Sequence, residues 1–139
     1  MNRFITAQHS EISGFNVALA QVKSGKKISD WMWYIFPQLR GLGVSITSYE
    51  YGIRDINEAW EYLHHEVLGS RLNEIVRELL KLETKSAVEI FGETDSKKLR
   101  SCLTLFSIAS DLDNTLFQKA LDKYFNGQLD DKTLKLLQV

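Results

Sequence analysis

The sequence predicts an all-α protein, a compact single-domain bundle of about six to eight short helices. Apolar residues recur every three or four positions over most of the chain, which is the spacing of one helix face. Asp, Asn and Ser residues precede several of these segments, as N-cap residues do. No turn-forming pair such as Asn-Gly joins two runs of alternating polarity, so no β-hairpin is expected.

Two helices are predicted clearly in the first half of the chain. Residues 15–22 have apolar side chains at helical spacing, and the pattern stops at the Ser-Gly-Lys-Lys sequence of residues 24–27. Asp55 precedes a second helix, predicted over residues 56–64. The spacing from Asp55 to Glu58 is that of a capping box.

Four more helices are predicted in the second half. Residues 68–82 form an amphipathic helix with one apolar stripe and charged residues on the opposite face. Asp95 is the predicted N-cap of the next helix, Asp113 or Asn114 that of the one after it, and Asp130 that of the last.

Composition limits the possible function classes. The chain has 139 residues, 44% of them apolar, with no repeat or linker, which predicts one domain over residues 1–139. A formal net charge of -1 gives no attraction to nucleic acid or to an anionic membrane, and neither is a predicted partner. No signal-peptide core and no apolar run of about 20 residues is present, so a cytoplasmic protein is expected.

No metal or other cofactor is predicted. Cys102 is the only cysteine, which excludes an internal disulfide and a cysteine-built metal site. His64 and His65 are adjacent, whereas two histidines that bind a metal from one helix face are four residues apart. Cys102 also lies on an apolar helix face, where packing in the core is the expected role.

The segment WMWYIFPQLRGLG, residues 31–43, has two interpretations. Its first part reads as a two-turn helix that ends before Pro37, and its apolar bulk is typical of a core element. Trp31 and Trp33 point about 200° apart on such a helix, so they cannot share a face. The alternative interpretation is that one tryptophan lines a ligand pocket.

The residues that follow the aromatic run favour the pocket interpretation. Gln38 and Arg40 supply hydrogen-bonding groups directly beside the apolar wall. Gly41 and Gly43 allow the backbone to turn or to approach another group closely. Glycines are, however, also common in turns that bind nothing.

Lys98 falls on the apolar arc of the helix that Asp95 is predicted to begin. A lysine there must extend to solvent, pair with a carboxylate or meet a ligand. Together with Lys97, the hydroxyl of Ser101 and the helix N-terminus, it would suit a phosphate or carboxylate. The alternative is a local pair of Lys98 with Asp95 or Glu93 and no ligand.

Four stretches carry a resemblance that covers nearly the whole chain: DWMWYIFPQLRGLG, YGIRDINEAWEYLHHEVLGSRL, EIFGETDSKKLRSCLTLF and FQKALDKYFNGQLDDKTLKLL. With them the chain resembles the DUF1810 family, a group of small all-helical proteins of unknown function. The resemblance implies an all-helical domain and supplies no activity. Asp30 and Cys102 depart from the family pattern, which usually has His and Ser at these two places. The resemblance points to Trp31, Trp33, Gln38, Asp95, Lys98 and Ser101.

The leading hypothesis is a pocket for a small anionic ligand, nucleotide-like or phosphate-like, between the Trp-rich segment and the N-terminus of the Asp95 helix. The rival hypothesis is a protein–protein interaction module or a homo-oligomer without catalytic activity. The sequence leaves open whether the protein is an enzyme. The predicted ligand-binding residues are Trp31, Trp33, Gln38, Arg40, Asp95, Lys97, Lys98 and Ser101.

Overall fold

The computed structural model describes residues 1–110 and 116–138, and the regular structure of these residues is helical. The all-α prediction is confirmed. Within these residues, the extended pairing is an isolated parallel bridge between Leu39 and Ile53. The helices of the described residues are α1 (Asn2–Gln8), α2 (Phe15–Ser24), α3 (Met32–Ile35), α4 (Ile46–Glu50), α5 (Ile56–His64), α6 (Leu68–Lys81), α7 (Ala87–Ala109), α8 (Leu116–Phe125) and α9 (Asp131–Leu137).

Helix α7 is the centre of the bundle and packs against α5, α8 and α9. The apolar side chains of its predicted arc, which include Leu99, Cys102 and Phe106, are buried. Thr104 lies on the opposite, polar side of the helix and is buried as well. The reason is a polar contact with the segment before α9, because the amide of Asp130 donates to Thr104 Oγ1 at 2.9 Å.

The predicted start of α7 at Asp95 is wrong. The helix begins at Ala87, because Ser86 and Glu89 form a complete capping box there. Gly92, with φ 82° and ψ 168°, then interrupts the helix. This backbone conformation is open almost only to glycine. Asp95 therefore lies in the first turn after the break rather than at an N-cap.

The predicted caps of α5 and α9 are present, with one difference. Asp55 Oδ1 accepts from the amide of Glu58 at 2.9 Å. The Glu58 carboxylate, however, accepts from the amide of Arg54 and pairs with Arg3 of α1 at 2.8 Å, so the capping box is incomplete. Asp130 Oδ2 accepts from the first turn of α9, as predicted. The predicted N-cap at residues 113–114 lies outside the described residues.

Three short helices depart from the sequence prediction. Helices α1 and α4 were not predicted, because each is too short to show a helical period. Helix α3 has four residues and is one turn rather than two. None of the helices in the described ranges is long and apolar enough to cross a membrane.

The break at Gly92 yields a prediction about stability. A Cβ added at Gly92 would meet no atom within 4 Å, so Gly92→Ala tests the backbone conformation without a steric clash. We expect a loss of about 1–3 kcal/mol in the free energy of unfolding, measured by urea denaturation. The exposed Thr94→Ala is the matched control and should change little. An unchanged stability of Gly92→Ala would contradict the inference that the backbone conformation at this position requires glycine.

Candidate functional site

A cleft of about 440 Å³ lies where the Trp-rich segment, the part of α7 after Gly92 and the start of α9 meet. We call it the basic cleft. Of the residues predicted from the sequence, it brings together five: Trp33, Gln38, Lys97, Lys98 and Ser101. Trp31, Arg40 and Asp95 do not line it.

Positive charge dominates the lining of the basic cleft. Four basic side chains line it, those of Lys97, Lys98, Arg100 and Lys132, against two carboxylates. Of the two carboxylates, that of Asp130 pairs with Arg100 at 3.7 Å and also accepts hydrogen bonds from the hydroxyls of Ser101 and Thr133 at 3.1 and 2.6 Å. Lys97 and Lys132 are exposed and form no ion pair within the described residues. The cleft is therefore a local region of positive potential.

Arg100 is a residue that the sequence analysis missed. Its Nη2 lies 3.7 Å from Asp130 Oδ1, a long ion pair, and its Nε is buried without a partner among the described residues. A buried donor without a partner costs free energy. Its position three residues after Lys97, on the same helix face, was the available sequence signal.

Trp33 and Lys98 form one wall of the basic cleft. The Lys98 ammonium lies 4.1 Å from the centre of the Trp33 ring, within range of a cation–π interaction. It also lies 3.0 Å from Asp95 Oδ1. The local ion pair that the sequence left open as an alternative is thus present, and Lys98 contacts the tryptophan as well.

Asp95 binds a second lysine that the sequence analysis did not select. Its Oδ2 lies 2.9 Å from Lys27 Nζ, and the Lys27 side chain is only 8% exposed. Burial raises the pKa of Asp95, but the hydrogen bonds and charges of Lys27 and Lys98 outweigh this effect, so the pKa lies below its ordinary value. Asp95 is therefore ionised at neutral pH and connects the loop before α3 to α7.

Trp31 belongs to the core. It is 1% exposed, and its Nε1 donates to Gln21 Oε1 at 2.8 Å. The same oxygen accepts from the backbone amides of Ile28 and Ser29, so one glutamine side chain organises the turn before α3. Of the two interpretations of the aromatic run, core packing describes Trp31, whereas Trp33 is half-buried at the cleft.

Arg40 is directed toward α4. Its Nε donates to the carbonyl of Tyr49 at 2.8 Å, and its guanidinium carbon lies 4.1 Å from the centre of the Tyr49 ring. A structural role in holding α4 accounts for both contacts. Gln38, by contrast, lines the basic cleft, and its side chain forms no hydrogen bond within the described residues.

Gly43 allows the chain after the Trp-rich segment to pass close to Trp33. A Cβ built at Gly43 would lie 2.6 Å from Ser48 Cβ and 3.3 Å from Trp33 Cη2. The first distance is shorter than any ordinary contact, so any larger residue would force the segment away from α4. The glycine thus supports the position of the Trp33 ring through close packing.

The fold and the cleft place this chain among small all-α proteins. More specifically, it belongs to the DUF1810 family, since residues 1–137 match the family described as "Protein of unknown function (DUF1810)". It is also similar to the conserved hypothetical protein Rv1873 from Mycobacterium tuberculosis, whose crystal structure shares 40% sequence identity with it. The TM-score is 0.94, over 99% of this chain and 96% of that one. None of the curated proteins compared with the chain matches it.

The ion pairs of Asp95 predict a pH-dependent effect of Asp95→Asn. At about pH 6, we expect the variant to lose about 1–3 kcal/mol of unfolding free energy, because a largely buried Lys27 is left without its charged partner. A lowered pKa means that Asp95 stabilises the fold above its ordinary pKa of 3.8. The difference between wild type and variant should therefore shrink as the pH falls below that value.

Urea denaturation over a pH series measures this difference. The matched control is Glu93→Gln, an exposed carboxylate two residues away, which should show no such dependence. A stability difference for Asp95→Asn that stays constant down to acid pH would contradict the ion-pair explanation.

Proposed function

We propose that this protein binds a small anionic ligand, nucleotide-like or phosphate-like, in the basic cleft. The observation that carries the proposal is the convergence of four basic side chains beside Trp33 on one concave surface. The chain as a whole has a formal net charge of -1, so this local excess is not a consequence of a basic composition. Positive potential in a concave site raises the local concentration of anions.

Three of the basic side chains are suited to contact the anion directly. Lys97 and Lys132 extend from different helices, α7 and α9, and neither is engaged in an ion pair within the described residues. Arg100 lines the cleft with a guanidinium whose ion pair with Asp130, at 3.7 Å, is long. Guanidinium and ammonium groups are the side chains that bind phosphate oxygens most strongly.

Lys98 has a different role in this proposal. Its charge is already paired with Asp95, which weakens its attraction for a further anion. Its contact with the Trp33 ring instead holds the indole at the edge of the cleft. Trp33 then supplies an aromatic surface for a planar group, and the side-chain amide of Gln38 supplies a donor and an acceptor beside it.

Charge reversal tests the proposal. We expect wild type to bind inorganic phosphate and AMP in isothermal titration calorimetry at low ionic strength. Lys97→Glu and Lys132→Glu should each weaken that affinity about ten-fold or more, because each turns an attraction into a repulsion. Both residues are exposed, so both variants should fold.

Lys119→Glu is the matched control for this experiment. Lys119 is an exposed lysine on α8 that does not line the basic cleft, and its reversal changes the net charge by the same amount. Equal losses in all three variants would indicate a net-charge effect alone. No binding of either probe by wild type would reject the proposal.

The interaction-module hypothesis remains as a second candidate, supported by an apolar surface beside the cleft. Val44, Ile46 and Tyr49 are 106%, 86% and 64% exposed, and all three belong to α4 or the segment before it. Clustered exposed apolar side chains are typical of contact surfaces. The hypothesis predicts a dimer at high protein concentration in sedimentation velocity, converted to monomer by Ile46→Ser. A wild-type monomer under the same conditions would count against self-association.

A further inference from the structure

A second cavity, of about 400 Å³, adjoins the basic cleft. We call it the neighbouring cavity. Trp33 and Lys98 line both, so this pair forms the ridge between them. The chemistry of the neighbouring cavity also depends on four other polar residues that line it: Lys27, Asp30, Thr47 and Asp95.

The charges of the neighbouring cavity differ from those of the basic cleft. Both of its lysines, Lys27 and Lys98, are paired with the carboxylate of Asp95. Asp30 adds a second carboxylate, which is exposed and has no side-chain partner within the described residues. The two ammonium groups and the two carboxylates that line it sum to no net charge, so the cavity offers an anionic group no net attraction. The neighbouring cavity therefore favours a neutral, hydrogen-bonding group.

Two polar groups of the neighbouring cavity are free to meet such a group. The Asp30 carboxylate accepts hydrogen bonds only, and the exposed hydroxyl of Thr47 can donate or accept. A ligand hydroxyl donates to a carboxylate in a charge-assisted hydrogen bond, which is stronger than one between neutral groups. Hydroxyl groups of a sugar fit this chemistry better than a phosphate or a carboxylate does.

We infer that the ligand has two parts, an anionic phosphate in the basic cleft and a neutral hydroxyl-bearing group such as a sugar in the neighbouring cavity, with Asp30 determining specificity for the hydroxyls. This inference rests on the proposed function and narrows its ligand class to phosphorylated sugars. Each cavity is within the size range of small-molecule sites, and the shared ridge of Trp33 and Lys98 lets one molecule extend over both.

The experiment compares two phosphate esters in isothermal titration calorimetry. Ribose 5-phosphate and pentyl phosphate carry the same phosphate group and the same number of carbon atoms, but only the first has hydroxyls. We expect wild type to bind ribose 5-phosphate about ten-fold more tightly, the contribution of a charge-assisted hydrogen bond. In Asp30→Ala, the two affinities should become equal within about two-fold, while the affinity for pentyl phosphate should not fall.

The matched control is Glu61→Ala, which removes an exposed carboxylate on α5 away from the neighbouring cavity. It should keep the preference for ribose 5-phosphate. Equal binding of the two esters by wild type, or an unchanged preference in Asp30→Ala, would overturn the inference while leaving phosphate binding in the basic cleft intact. Failure of wild type to bind either ester or inorganic phosphate would reject both the inference and the proposed function.

Discussion

The carboxylate of Asp95 holds two lysine ammonium groups, and the arrangement around the Trp-rich segment depends on this one interaction. Lys27 is largely buried, and a buried ammonium requires a charged partner. Its backbone amide also donates to the carbonyl of Ile90 at 2.8 Å, so the loop before α3 is held to α7 at two points. The carboxylate's other oxygen pairs with Lys98 beside Trp33. A single ionised group thus links the loop before α3, the lysine beside Trp33 and α7.

This arrangement divides the surface on either side of Trp33 into two chemically different cavities. On one side, the positive charges of Lys97, Arg100 and Lys132 exceed the available carboxylates. On the other side, Lys27 and Lys98 both pair with Asp95, and Asp30 supplies the second negative charge that balances the two lysines. Because exposed charges more than about 10 Å apart are largely screened, the side chains near the two cavities act more strongly on a ligand than the net charge of the chain does.

Local sequence rules predicted the parts of the fold that depend on local interactions. The caps at Asp55 and Asp130 and the apolar stripe of α6 are decided within a few residues, and they were predicted correctly. The start of α7 was predicted incorrectly. Asp95 has the residue type of an N-cap, but Ser86 caps the helix and Gly92 interrupts it. The contact of Lys27 with Asp95 and the place of Lys132 in the basic cleft could not be predicted from the sequence, because both result from packing between distant segments.

The docking of α9 shows how the basic cleft follows from polar packing on α7. Asp130 donates its amide to Thr104 and accepts from Ser101, and both hydroxyls lie on the face that α9 covers. These hydrogen bonds specify both the place and the orientation of the α9 N-terminus, which apolar contacts alone would leave less defined. Lys132 follows two residues later and therefore faces Lys97 and Arg100 across the cleft. The hydroxyl of Ser101 thus contributes to the cleft chiefly by positioning α9, and a ligand would meet the cations that this docking assembles.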